Sequence, residues 1–228
     1  MKTGWKVAFT YWITLYGTVV QGRQAVHSHL DVPLNQAIVR SRWFTAWNVL
    51  VPGLGLMWAR PSLVRGFAHH LFGETLSHPP GLSTVVWLAA MILALPTAYG
   101  LFRLFTLVNH IMAINVFRTR GQRLRLLNVE TTVSSLSPIV VAGLMVSRLS
   151  EPFGYAIIGL TAVFALFLLS YGFNLIFHKA GIRGLILLIE SYLVTWFVLL
   201  MGGLAITVTM AVLAFFVVVA LRLFVHRS

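Results

Sequence analysis

Apolar residues in this chain come in long blocks, without the three-to-four-residue rhythm of a helix that shows one face to water. The longest block, Leu82–Phe117, carries one formal charge, Arg103, and is followed at once by Arg118, Arg120, Arg123 and Arg125. A soluble helix of that length needs a wide polar face. None is present, so its natural solvent is lipid. As one helix it would extend about 54 Å at roughly 1.5 Å per residue, against a hydrocarbon core of about 30 Å. It reads as a single long pass bent near Pro96 and Gly100, because a split between Tyr99 and Leu104 leaves a second piece too short to span.

The other blocks are less regular. Residues 7–20 fall short of the roughly 20 that span, and read as a thin or tilted pass or an interfacial helix. Residues 21–42 are polar and belong outside the hydrocarbon. Residues 43–59 hold Asn48 and the run Val51-Pro52-Gly53-Leu54-Gly55. That run points to a kinked pass, with a re-entrant hairpin or an interfacial segment as alternatives. Residues 60–81 form a non-spanning connection that ends in Pro79-Pro80-Gly81. Residues 126–146 start polar, near the cytoplasmic interface, and turn apolar after Pro138; residues 153–177 carry no charge. Residues 184–221 carry only Glu190 and read as two passes folded back at Met201-Gly202-Gly203.

Charge placement orients these segments. Short loops dense in Arg and Lys stay in the cytoplasm, which puts residues 118–125, the Lys179–Arg183 loop and the C-terminus on that side and residues 60–81 outside. Lys2 and Lys6 conflict with an outside N-terminus if residues 7–20 cross. The expectation is an all-α polytopic integral membrane protein, one compact helical bundle over residues 1–228 with about six transmembrane helices, or five plus a re-entrant or interfacial element. A multi-pass protein of the plasma membrane is the matching location. The start resembles a signal sequence but lacks a convincing small-x-small cleavage site, so it reads as a retained first segment.

Composition agrees. The hydrophobic fraction is 58%, the charged fraction 10% and the mean hydropathy +0.87. The net charge of +12 sits mainly in short linkers and at the ends, which suits membrane orientation and anionic headgroups better than nucleic acid. With no cysteine, disulfides, thiolate metal sites and a cysteine nucleophile are excluded.

Ionisable groups in hydrocarbon are the first candidates for chemistry. Arg103 lies some 15 positions before Arg118, about 22 Å along a helix, with Thr106 and His110 continuing its face. Glu190 lies near the start of its helix beside Ser191 and Thr195, as a proton carrier or half of an ion pair. Glu130 follows four arginines and suits an interface salt bridge. Glu130, Ser134 and Ser137 make one polar stripe; Ser170, Asn174 and His178 make another. Either stripe lines a path or joins helices. The expected path residues are Arg103, His110, Glu190, Asn174 and Glu130. His70, Glu74 and His78 share a helical face near His69 and are weak metal candidates outside the HExxH pattern. No metal or other cofactor is expected, and no phosphate-cradling Gly-rich loop is present, so any ATP hydrolysis would come from a separate ATPase subunit.

The basic, Glu130-containing connection ahead of Ser135-Leu136-Ser137-Pro138 is similar to that of small six-pass permeases that pair with a separate ATPase. The similarity is confined to that connection and assigns no functional residue. Three readings follow. The first is a transport or channel-like subunit moving a small polar or charged solute. The second is a non-catalytic partner that stabilises another membrane protein. The third is an enzyme on lipid or lipid-linked substrates that uses His69, His70, Glu74 and His78. Membrane lipids are partners in all three, and whether the chain is an enzyme stays open.

Overall fold

The computed structural model describes residues 2–72, 82–118, 122–179 and 181–203, with side chains from residue 9 onward except at 68–72 and 82. The described residues form an all-α bundle: α1 (Lys2–Gln21), α2 (Arg23–Ser28), α3 (Leu34–Ala59), α4 (Pro61–Phe72), α5 (Leu82–Phe117), α6 (Arg123–Ser134), α7 (Ser137–Ser147), α8 (Glu151–Ile176) and α9 (Arg183–Gly203). Four stretches are long and apolar enough to cross a membrane: Ser83–Phe117, Arg123–Ser147, Glu151–Ile176 and Arg183–Gly203. Much of their surface is bare hydrocarbon, with Val85, Ile92, Leu93, Leu160 and Leu200 all largely exposed. Apolar exposure on that scale requires lipid as the solvent.

The long block is one unbroken helix, α5, running through Pro96 as expected. Of the readings for the run around Pro52, the re-entrant hairpin is not formed: α3 is continuous from Leu34 to Ala59. Proline removes only its own N–H, which leaves the Asn48 carbonyl one turn earlier without its helical donor, and the helix runs on through it. One residue beyond, the Trp87 indole donates to the Gly53 carbonyl at 3.0 Å and ties α5 to α3. Gly53 and Gly55 sit where a Cβ would run into Met91 of α5 and Val141 of α7, so both serve close helix contact. The polar half of residues 126–146 packs inside the bundle, where Asn128, Glu130, Thr131 and Thr132 are all buried. Met201, Gly202 and Gly203 are helical. The expected return pass, with the C-terminus, lies outside the described residues.

Side-chain contacts fix the register of α3 against α6 and α7. At one end Arg125 pairs with Asp31 at 2.7 Å and Asn128 donates to the carbonyls of Leu30 and Val32, both at 3.0 Å. Midway, Ser137 donates to Asn48 Oδ1 at 2.6 Å. At the other end Arg148 donates to the Trp58 carbonyl at 3.2 Å and lies over its ring. Two rods pinned at start, middle and finish in the same order run parallel, and α3 therefore travels the full depth of the bundle. α8 returns antiparallel, with Gly154 against Ser147 near its start and Gly172 against Val129 near its end. The core cluster, with Ala113, Phe117, Leu126, Val129, Val133, Leu168, Phe173 and Leu187, binds α5, α6, α8 and α9 together.

Candidate polar site in the bundle core

Glu130 is the centre of the site. Its residue is 3% exposed, one carboxylate oxygen accepts from Asn109 Nδ2 at 2.7 Å, and the other accepts from the Thr106 hydroxyl. Thr106 and Asn109 are three apart on α5, and Arg103 is three before Thr106, so all three share a face. The Arg103 guanidinium is close enough to act on Glu130 electrostatically, although the two form no ion pair. Two neutral donors thus hold a carboxyl group in a water-poor interior. The expected interface salt bridge with the linker arginines is not formed, because Arg125 is committed to Asp31 and Glu130 points into the bundle.

The α6 helix presents Glu130 this way because the helix is broken just beyond it. After Ser134 the chain turns through Ser135 and Leu136 and restarts with Pro138 in the first turn of α7. Ser134 and Ser135 donate to the carbonyls of Thr131 and Thr132 at 2.8 and 2.7 Å, satisfying backbone groups near the break.

Arg103 and Thr106 also line a cavity of about 240 Å³, together with Leu34, Arg123, Leu124 and Leu127. Distance along the helix from Arg118 had suggested that Arg103 lies far from the basic linker. α5 is longer than the bundle is deep, so helix length does not translate into depth, and Arg103 shares a cavity with Arg123. Tyr99 stands between two guanidiniums, Arg42 at 5.9 Å and Arg103 at 6.0 Å from its ring centre. Three further polar atoms on α5 and α6, Asn109 Oδ1, His110 Nδ1 and Thr131 Oγ1, are buried without a hydrogen-bond partner.

The other expected path residues are placed apart from this centre. Glu190 is on α9, which contributes nothing to the Arg103 cavity; its Oε2 and the neighbouring Ser191 hydroxyl are buried without a partner. Asn174 accepts from the Gly184 amide at 2.9 Å and donates to the Gly181 carbonyl at 2.8 Å, so its amide staples the turn between α8 and α9. Ser137 belongs to a second cluster, in which Tyr11 and Ser137 both donate to Asn48 Oδ1. No three His, Asp or Glu side chains converge among the described residues. The His69, His70, Glu74 and His78 side chains lie outside them.

The sequence pattern gives Thr106 as a continuation of the Arg103 face and does not single out Asn109. Their spacing from Arg103 was the available signal. Arg123 was read only as a topology marker, and Arg40 was missed altogether. It is 6% exposed, lies over the Phe44 ring at 5.2 Å, and none of its guanidinium nitrogens has a hydrogen-bond partner.

Helices of this length and apolarity around a buried carboxyl network define a membrane-associated helical protein with an internal polar site. No protein-family model matches the chain, and neither a curated protein nor a solved structure shows significant similarity to it.

Proposed function

We propose that this chain is a multi-pass transport or channel-like subunit that moves a small charged solute, with Glu130 as the central polar group of the path. The observation that carries the reading is the Glu130 arrangement itself. A carboxyl group buried in a membrane bundle and held by two neutral donors is costly to keep and is the usual mark of an ion, proton or solute pathway. Arg103 connects that group to a cavity reaching the basic linker, so an anion entering there meets a guanidinium before it meets the carboxyl. Glu130 can take up or release a proton as the site changes exposure, and Thr106 and Asn109 hold it in place. Orientation follows from the arginines: the linker end faces the cytoplasm.

The test is flux in proteoliposomes containing the purified full chain, with a pH-sensitive dye inside and phosphate, sulfate, acetate or glutamate outside. Glu130→Gln should lower flux at least about tenfold, equivalent to roughly 1.4 kcal/mol, while leaving insertion and thermal midpoint near wild type. Wild-type flux in that variant would overturn the reading.

One observation favours a second reading, a partner of another membrane protein. The unpartnered Glu190 Oε2 and Ser191 hydroxyl sit on α9, and an apolar cavity of about 580 Å³ opens between α5, α8 and α9. A stoichiometric complex at native expression level that Glu190→Ala disperses would support it. A monodisperse chain that transports alone would remove it.

A further inference from the structure

The cavity between α3, α5 and α6 has the wrong charge balance to stand empty of anions. Arg103 and Arg123 both line it, neither is in an ion pair among the described residues, and Arg42 lies beyond the shared Tyr99 ring. Of the nearby acids, Asp31 is paired with Arg125, and Glu130 accepts from Thr106 and Asn109 and acts on Arg103 without forming an ion pair, which leaves Arg123 uncompensated. The first turn of α6 adds to the imbalance. Gln122 gives it no side-chain cap, and the first helical bond is Leu126 N–H to the Gln122 carbonyl, which leaves the preceding amides of a positive helix end beside Arg123 and Leu124.

From these observations we infer that the cavity binds a phosphate group, held by the Arg103 and Arg123 guanidiniums at the start of α6. Phosphate suits the site better than a compact monovalent anion. Its oxygens match the planar donor fork of arginine, and two forks from different helices can divide them. A helix N-terminus is a favourable place for the same group. The remaining walls are Leu34, Leu124 and Leu127, which fit the apolar remainder of a phosphorylated molecule. The phosphate can belong to a lipid headgroup or to a free solute. This deepens the transport reading by naming the chemistry of what enters the site, and binding can be measured without flux.

The experiment uses the full chain in nanodiscs of zwitterionic lipid. Binding of inorganic phosphate and of dihexanoyl phosphatidic acid is followed by calorimetry, with dihexanoyl phosphatidylcholine as the control. At least one phosphate probe should bind, more weakly as salt rises, and more tightly than the control. Saturation by phosphatidic acid alone identifies the lipid source; saturation by both identifies the phosphate group as sufficient. Arg123→Ala, at an exposed position, should weaken binding at least tenfold, and Arg103→Lys, which keeps the charge and loses the fork, should do the same. Failure of both probes to bind, equal binding of the control, or wild-type affinity in both variants would overturn the inference. Binding without flux in the wild-type chain would instead remove the transport reading and leave this site standing.

Discussion

Arg40 is the residue with the least local support. A buried guanidinium whose nitrogens all lack a hydrogen-bond partner keeps its desolvation cost and recovers only the stacking on Phe44. Removing a cost of about 1–3 kcal/mol should raise the thermal midpoint of Arg40→Met in detergent by roughly 2–10 °C, measured by tryptophan fluorescence. A lower midpoint would mean that Arg40 has a partner in the membrane-bound protein. Its neighbour His29 gives a pH signature. Burial pushes the His29 imidazole below its ordinary value; the hydrogen bond to the Ala25 carbonyl opposes this in part, and the Arg40 charge adds a smaller downward push. A base with a lowered folded pKa binds fewer protons folded than unfolded, so its contribution is present above about pH 6.5 and is lost as pH falls. Between pH 7.5 and 5.5 the wild-type midpoint should fall more than that of His29→Gln; equal slopes would discard the explanation.

Among the elements, α1, α3 and α7 share one polar junction. Asn48 Oδ1 receives both the Tyr11 and the Ser137 hydroxyl, and Tyr11 also packs edge-on against Phe44. Asn48→Leu leaves two donors without their acceptor and should cost about 1–3 kcal/mol, read as a lower midpoint and easier proteolysis of α1. An unchanged midpoint would show that the two hydroxyls satisfy each other, which their 3.2 Å separation permits. Element existence was legible because composition alone separates the 36-residue, largely apolar α5 from the arginines after it. Continuity through Pro52 was not legible, since it depends on Trp87, Met91 and Val141, all distant in sequence. The site was legible in part. Arg103 and Glu130 stood out as charges in apolar blocks, but which donors reach Glu130 is decided by how α5 lies on α6, and no pattern within either helix encodes that.

For the molecule as a whole, the contacts that tie α3 to α6 and α7 make topology testable. The chain has no cysteine, so single-cysteine variants can be labelled without background. Cysteines replacing Gln122 and Glu151 should react with impermeant maleimide from opposite sides, the first from the cytoplasm. Labelling of the position-122 cysteine from outside would reverse the orientation on which the direction of entry rests, and labelling of both from one side would mean that Arg123–Ser147 does not cross.

The parallel pairing of α3 with α6 and α7 also bears on how the protein is made. The partners that meet across it are 89 to 98 positions apart in the chain. A ribosome working at about 5–20 residues per second needs roughly 5–20 s to produce that much chain. During that interval α3, with Asn48 and the carbonyls around Pro52 still unmatched, has left the exit tunnel and its permanent neighbour has not. Something must shelter it in the meantime, whether the insertion machinery or the newly made α5, and biogenesis of this bundle is for that reason sensitive to the pace of translation.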